Sequence, residues 1–170
     1  MPPIKRSAEL QPLSRDHHRA LLVAMRVQHG LDGKPFAGPM VGFDGLLAEA
    51  NEFYSAHFTD HAAAEEEHLV PALRSANPDA AEHLDRLVDD HRRLSRLLVE
   101  AGEQGRSTNE RRSALCEFGA VLEAHVRFEE RELFAIIEES LAHDVLEAIG
   151  ERLAEYEAQR DPSCRGGGAG

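Results

Sequence analysis

The stretch His125-Val-Arg-Phe-Glu129-Glu-Arg-Glu-Leu-Phe134 determines how the rest of the chain is interpreted. On an α-helix, residues four positions apart lie on one face, with Cβ atoms about 5–6 Å apart. The imidazole of His125 and the carboxylate of Glu129 can therefore reach a single metal ion, or the carboxylate can bridge two ions. One such pair carries little information, because His and Glu are both common on solvated helix faces.

The same pattern occurs a second time in the chain, and each copy follows an Asp-His pair. The segment His61-Ala-Ala-Ala-Glu-Glu repeats the H-x-x-x-E-E spacing, while Asp16-His and Asp90-His precede the two copies. The chain thus has the order DH, HxxxEE, DH, HxxxEE, with each piece on its own predicted helix. This duplicated order indicates a metal site.

The length, composition and net charge limit the fold classes and the partners that this protein can have. The 170 residues suffice for one domain with a sizeable core, and an aromatic share of 5% without tryptophan favours helices over sheets. The net charge of −12 argues against nucleic acid and against an anionic membrane surface as partners. We predict a single helical-bundle domain over residues 1–160 and a disordered glycine-rich tail over residues 161–170.

The sequence contains no sign of export or membrane insertion. No apolar run approaches the roughly 18 residues of a membrane span, and no apolar segment of a signal peptide follows the first residues. Cys116 and Cys164 are far apart in the chain, so we expect no disulfide and a cytoplasmic protein.

Apolar periodicity predicts an all-α fold, with residues 1–12 irregular and Gly30 ending the first helix. Pro71 is predicted to end or kink the second helix. The Asn77-Pro dipeptide is a predicted N-cap, and the segment Ser107-Thr-Asn-Glu is a predicted capping box. The expected architecture is an antiparallel up-down four-helix bundle with a short fifth C-terminal helix. The five predicted helices cover residues 13–29, 43–69, 78–100, 107–139 and 143–159.

Each long helix has one histidine on its apolar face, and the four are His17, His61, His91 and His125. His17 lies in the stripe of Leu13 and Leu21, which favours it over the alternative, His18. A single inward histidine is most often a hydrogen-bonded core residue. Four of them, together with Glu65 and Glu129 and with no inward Lys or Arg, form a buried charged set that a metal would compensate. Glu66, Glu67 and Glu130 point elsewhere, and we interpret them as a solvated acidic face.

Comparison of the two repeats singles out two more positions on the second helix. Tyr54 precedes His61 by seven residues and His57 precedes it by four, where the fourth helix has the apolar residues Phe118 and Val121. Both positions are therefore predicted to face the core. Either residue is a candidate additional ligand or proton donor, and the competing interpretation is a buried polar residue whose hydrogen bonds are satisfied by neighbours.

These motifs resemble those of the hemerythrin family and its bacterial hemerythrin-like, HHE cation-binding relatives. The resemblance extends from residue 13 to residue 134. It implies a four-helix bundle whose cofactor is two iron ions, a non-heme di-iron centre with an oxo or hydroxo bridge. Carried over by position, the four inward histidines would be terminal ligands, and Glu65 and Glu129 would be bridging ligands.

The chain departs from the oxygen-carrying members of that family at two places. Those members have two histidines four apart on the third helix, whereas Leu87 and Ser95 lie four residues either side of His91. They also use a carboxylate five residues after the fourth-helix histidine, where this chain has a spacing of four. These departures favour redox reaction over reversible oxygen carriage.

The main hypothesis is a di-iron protein that binds or reacts with a small oxidant: hydrogen peroxide, oxygen or nitric oxide. It leaves open whether the protein is an enzyme, such as an oxidoreductase that consumes peroxide or nitric oxide. The alternative is an iron-buffering module, or one that senses oxygen or nitric oxide. Since His and carboxylate ligands also suit zinc and manganese, a structural bundle held by zinc is a third hypothesis.

Overall fold

The computed structural model describes residues 7–160, and five helices make up most of them. Helix α1 spans Gln11–Leu31, α3 spans Ala81–Gly102 and α5 spans His143–Arg160. Helices α2 and α4 are α-helical segments joined by π-helical turns. In α2 the order is Phe43–Phe53, π turn Tyr54–Phe58, Thr59–Ala64, π turn Glu65–Leu69 and Val70–Ala76. In α4 it is Thr108–Phe128, π turn Glu129–Leu133 and Phe134–Ser140.

Two helix boundaries of the first hairpin differ from the prediction. Helicity begins earlier than residue 13, because a 3-10 turn over Ala8–Leu10 buries Leu10 and leads directly into α1. Gly30 does not end α1, which continues to Leu31. Its lack of a side chain instead permits close packing, because a Cβ at Gly30 would lie 2.6 Å from the Leu46 side chain. The residue with left-handed backbone beyond the helix end is Gly33, whose φ is +71°.

Two signals near the end of α2 were predicted from Pro71, as an end or a kink of the helix, and from Asn77, as an N-cap. Pro71 does not end the helix, which continues to Ala76. It follows a π turn closely, so its missing N–H falls where the regular α-helical bonding is already interrupted. Asn77 stands at the N-cap position but its side chain forms no cap hydrogen bond, and its amide instead donates to the hydroxyl of Ser140 at 2.9 Å. The Ser107 capping box is confirmed, with both reciprocal hydrogen bonds present.

Side-chain contacts establish an antiparallel order for the four long helices. Early residues of α1 contact late residues of α4, as in the 2.6 Å bond from the Ser14 hydroxyl to Glu130, while Gln28 near the end of α1 bonds to Glu123. Equivalent contacts run between consecutive helices. The all-α bundle with a fifth helix is thus confirmed. None of the helices described is long and apolar enough to cross a membrane.

The core consists of two apolar clusters separated by a layer of buried polar side chains. One cluster includes Phe53, Leu94 and Phe118, and the other includes Leu69 and Leu133. Helix α5 packs on the second cluster through Leu146, Ile149 and Leu153. The prediction of a disordered tail concerns residues 161–170, which lie outside the described residues, as does Cys164. Cys116 is a free, exposed cysteine.

A buried arginine holds the connection between α1 and α2. Arg26 is 8% exposed, and its guanidinium donates to the Glu49 carboxylate at 2.9 Å. It also donates to the backbone carbonyl groups of Phe36 and Pro39, two residues of the connecting segment. Loss of a partner for buried polar groups is expensive, so this side chain fixes a connection that has no helix of its own.

Replacement of this arginine should therefore destabilise the fold without touching the polar layer. We expect Arg26→Met to lower the free energy of unfolding by about 2 kcal/mol, since the two carbonyl groups and Glu49 lose their donor. The measurement is urea unfolding of the metal-free protein. Lys34→Met is the matched control, because Lys34 forms an exposed ion pair with Asp32 and its loss should cost less than about 0.5 kcal/mol. Equal effects of the two changes would contradict the role given to Arg26.

Candidate metal centre

Six ionisable side chains form the polar layer between the two apolar clusters, and none is more than 5% exposed. Each of the four long helices contributes one histidine, while α2 and α4 each add one glutamate. These residues are His17, His61, Glu65, His91, His125 and Glu129. The inward position of His17 is as predicted, and its neighbour His18 is exposed.

Each buried glutamate lies between two histidines from different helices. The carboxylate of Glu65 has one oxygen 3.4 Å from His61 Nε2 and the other 3.3 Å from His91 Nε2. Glu129 has one oxygen 3.4 Å from His125 Nε2 and the other 2.8 Å from His17 Nε2. Each carboxylate is therefore placed to bridge two positions, and each position also receives imidazole nitrogens.

Two overlapping groups of ligand atoms result, and each group could hold a metal ion. Within a group, all four ligand atoms lie within 4.8 Å of one another. The two glutamates belong to both groups, and the two histidine pairs divide between them. The first group, called half A below, is His17, His61, Glu65 and Glu129; the second, half B, is Glu65, His91, His125 and Glu129.

The inward-facing atoms of this cluster form no well-directed hydrogen bonds, even where a Glu129 oxygen lies 2.8 Å from His17 Nε2. Both oxygens of Glu65 and Glu129, and the Nε2 atoms of all four histidines, are buried and unsatisfied. Buried polar groups normally find partners, and buried charges are paired or bound to metal. No Lys or Arg reaches the cluster among the described residues. The residues present therefore fit a pair of divalent cations, which would satisfy these atoms together.

The charges within the cluster act on one another in the metal-free chain. Burial lowers the pKa of His61, but the carboxylates of Glu65 and Asp16 outweigh it, and the pKa lies well above its ordinary value. Burial likewise raises the pKa of Glu65, but His61 and His91 outweigh it and hold that pKa well below its usual range. Glu65 is thus in the ionised form that a metal requires.

A second layer of carboxylates contacts the outer nitrogens of the four histidines. The Nδ1 atoms of His17 and His91 lie 2.7 and 2.8 Å from Glu130 and Glu66, respectively. His61 and His125 have the same relation to Asp16 and Asp90, at the longer distances of 3.5 and 3.8 Å. A carboxylate on the outer nitrogen orients the ring and directs the other nitrogen to a metal.

The interpretation of Glu66 and Glu130 as a solvated acidic face is incomplete, because both keep contact with solvent but also bind a buried histidine. Each lies beside a histidine of the opposite repeat, where it is held by a short hydrogen bond. The EE and DH pairs in the motifs were the signal, because they place a carboxylate next to four of the six ligand candidates. Glu67 does lie at the surface, where it accepts a hydrogen bond from the Tyr156 hydroxyl at 3.0 Å.

The two shared glutamates each begin a π-helical turn, Glu65–Leu69 and Glu129–Leu133. A π turn contains an additional residue compared with an α-helical turn, and such turns are frequent at functional sites. The wider turn allows the buried glutamate and the residue after it to point toward opposite sides of a histidine. Glu65 faces the inner cluster, while Glu66 reaches His91 from outside.

His57 belongs to neither ligand group, and Tyr54 is partly buried against the apolar cluster that includes Phe53. The inward position belongs to Phe58, whose ring centroid lies 5.6 Å from those of His91 and His125. The cause is the π turn Tyr54–Phe58, which places Phe53 and Phe58 inward five residues apart, where α4 uses a spacing of four. Tyr54 and His57 are therefore half-buried at the edge of the core instead of facing its centre, and their roles as ligand or proton donor stay predictions.

A family model described as the hemerythrin HHE cation binding domain matches residues 10–137. The matched segment contains all six buried ligand candidates and the carboxylates that support them. No curated protein and no solved structure is similar enough to the chain to count as a match.

The outer carboxylates generate a prediction that compares two adjacent glutamates. Glu66→Gln should weaken the affinity of the protein for Co²⁺ by roughly tenfold or more, because His91 loses the anion that orients its ring. Glu67→Gln is the control, since Glu67 contacts Tyr156 and no histidine of the cluster. Competition with a coloured chelator measures both affinities. Equal affinities of the two variants would remove the role assigned to Glu66.

Proposed function

The chain belongs to the hemerythrin HHE cation-binding domain family, and on that premise we propose that it holds a non-heme di-iron centre that reacts with a small oxidant. The observation that carries the proposal is the pair of buried glutamates, each placed between two unsatisfied imidazole nitrogens. In this assignment Glu65 and Glu129, which belong to both ligand groups, would be shared by the two ions. His17 and His61 complete half A, and His91 and His125 complete half B.

Iron at this position would supply electron transfer and oxygen chemistry, which the amino acids themselves lack. The donor set of imidazoles and carboxylates suits iron, although it also accommodates zinc and manganese. The two glutamates neutralise two of the four positive charges of a divalent pair. The remaining positive charge favours the binding of an anion or of a polarisable oxidant at the centre.

The surrounding residues would orient the ligands and exclude water. Glu130 and Glu66 accept the outer N–H of His17 and His91, so each inner nitrogen carries a lone pair. The ring of Phe134 stacks on His17 with centroids 5.4 Å apart, and Phe58 covers the other three histidines. Bulk water is therefore kept from the inner face of the cluster.

Reaction with an oxidant is favoured over reversible oxygen carriage by the composition of α3. His91 is the single inward histidine of this helix, because Leu87 is buried in the apolar core and Ser95 is exposed. Each half therefore offers two imidazoles and two shared carboxylates. Non-heme iron with few protein ligands and open positions is typical of centres that react with oxygen species. We propose hydrogen peroxide, oxygen or nitric oxide as the small molecule and a cytoplasmic location.

The outer position of His57 favours a role beside the centre over direct ligation. Tyr54 packs on Phe58 with ring centroids 5.4 Å apart, and His57 is within 2.8 Å of the Arg19 guanidinium. His57 remains our candidate for a proton donor, and Tyr54 for an additional ligand. The second candidate function, iron buffering or sensing, uses the same six ligands and differs in lacking turnover of the oxidant.

The ligand assignment predicts different losses for glutamate and histidine variants. Glu129→Ala should abolish binding of both ions, because one carboxylate serves both halves, whereas His91→Ala should affect half B first. Metal analysis of protein loaded anaerobically with ferrous iron gives the number of ions per chain. His18→Ala is the control, since His18 is exposed beside His17. Retention of two ions by Glu129→Ala would refute the bridging assignment.

The proposed reactivity is tested on the iron-loaded protein by absorption spectroscopy. The ferrous protein should oxidise in air without reversible uptake and release of oxygen, and the ferric protein should consume added hydrogen peroxide over repeated turnovers. Reversible oxygenation would contradict the redox proposal. Stable iron binding without peroxide consumption would favour the buffering or sensing module. A colourless protein that binds zinc in preference to iron would favour the structural alternative.

A further inference from the structure

A small pocket adjoins half A of the cluster on one side of the bundle. Its volume is about 10 Å³, the space of a single water-sized molecule. The side chains of His17 and His61 form its inner wall, and His57 forms part of its outer wall. The complete lining is Asp16, His17, Ala20, Phe53, His57, Phe58 and His61.

An arginine stands directly behind the outer wall of this pocket. The Arg19 guanidinium lies 2.8 Å from Nδ1 and 3.0 Å from Nε2 of His57. A guanidinium can only donate hydrogen bonds, so a ring nitrogen of His57 is the acceptor in this contact. Among the described residues, no carboxylate lies within ion-pair distance of Arg19. Its positive charge is therefore not cancelled by a salt bridge, and the one carboxylate in the pocket lining, that of Asp16, lies 3.5 Å from His61 Nδ1.

The equivalent arginine of the other repeat is neutralised. The segments Asp16-His-His-Arg19 and Asp90-His-Arg-Arg93 correspond in the duplicated pattern, so Arg93 is the counterpart of Arg19. Arg93 forms an ion pair with Glu117 of α4 at 2.7 Å. The two halves of the cluster thus have the same inner ligands and differ in the charge at their edges.

The asymmetry depends on the π turn Tyr54–Phe58, which has no counterpart in the α-helical segment Thr108–Phe128. The additional residue rotates His57 out of the inward position and toward α1, where Arg19 binds it. The same turn brings Phe58 over the histidines. One local change in α2 therefore creates both the apolar cover and the cationic edge of the pocket.

We propose that Arg19, positioned by His57, makes this pocket an entrance selective for small monovalent anions on the half A side. A full positive charge within several ångströms of a partly dry pocket attracts an anion and leaves a neutral molecule unaffected. This inference rests on the proposed di-iron function and specifies the charge of the ligand that enters. Arg19 is a positioning residue, since it does not contact the ligand atoms of the cluster.

Azide titration of the iron-loaded ferric protein, followed by visible absorption, tests the inference. Arg19→Met should raise the dissociation constant of azide about three- to tenfold, and Arg19→Lys should restore most of the affinity because it keeps the charge. Arg93→Met is the matched control and should bind azide as the unmodified protein does. The difference between Arg19→Met and the unmodified protein should shrink as salt is added. The affinity of the ferrous protein for neutral nitric oxide should not change.

The outcomes separate this inference from the proposed function. Equal azide affinity of Arg19→Met and the unmodified protein would overturn the entrance while leaving the di-iron centre intact. Equal weakening by Arg19→Met and Arg93→Met would also overturn it, because the effect would then be one of overall charge. Failure of the unmodified protein to bind iron would overturn the proposed function, and this inference with it.

Discussion

Two carboxylates buried in a hydrocarbon core are the constraint on which the rest of this bundle depends. An ionised carboxylate transferred into a protein interior costs several kcal/mol unless it is paired. Glu65 and Glu129 are fully buried, and within residues 7–160 the charged groups that pair with them are the four histidines. Each long helix must therefore supply one imidazole at the same level of the core. That requirement fixes the relative heights of the four helices and divides the apolar core into two clusters.

The parts of the structure that follow from local spacing could be predicted from the sequence. The two H-x-x-x-E repeats and the two Asp-His pairs together identified six buried residues correctly, because burial on a helix follows directly from periodicity. The capping box at Ser107 could also be predicted from the sequence, since it depends on two residues three positions apart. Contacts between residues that are distant in the sequence were harder to predict. The pairing of His17 with Glu130 joins residues from the first and fourth helices, and only the assembled bundle brings them together.

The π turns explain where the sequence reasoning failed. Comparison of the repeats assumed equal spacing along both helices, which holds from His61 onward but not before it. One additional residue in the turn Tyr54–Phe58 shifts every earlier position around the helix, so Phe53 rather than Tyr54 corresponds to Phe118 in burial. No residue type marks such a turn reliably, since its stability comes from tertiary packing. The hydrogen bonds from Arg26 to Phe36 and Pro39 could not be predicted from the sequence either, since they also depend on tertiary packing.

The outer carboxylates of each helical hairpin contact histidines of the other hairpin, and this arrangement bears on the evolutionary origin of the fold. The hairpin α1–α2 contributes His17, His61 and Glu65, and the hairpin α3–α4 contributes the same set in the same order. The outer contacts also cross over, since Glu66 serves His91 and Glu130 serves His17. A symmetric dimer of one such hairpin would therefore contain every ligand of the complete centre. Gene duplication and fusion would then need only the short link at Asn77, after which each copy was free to diverge.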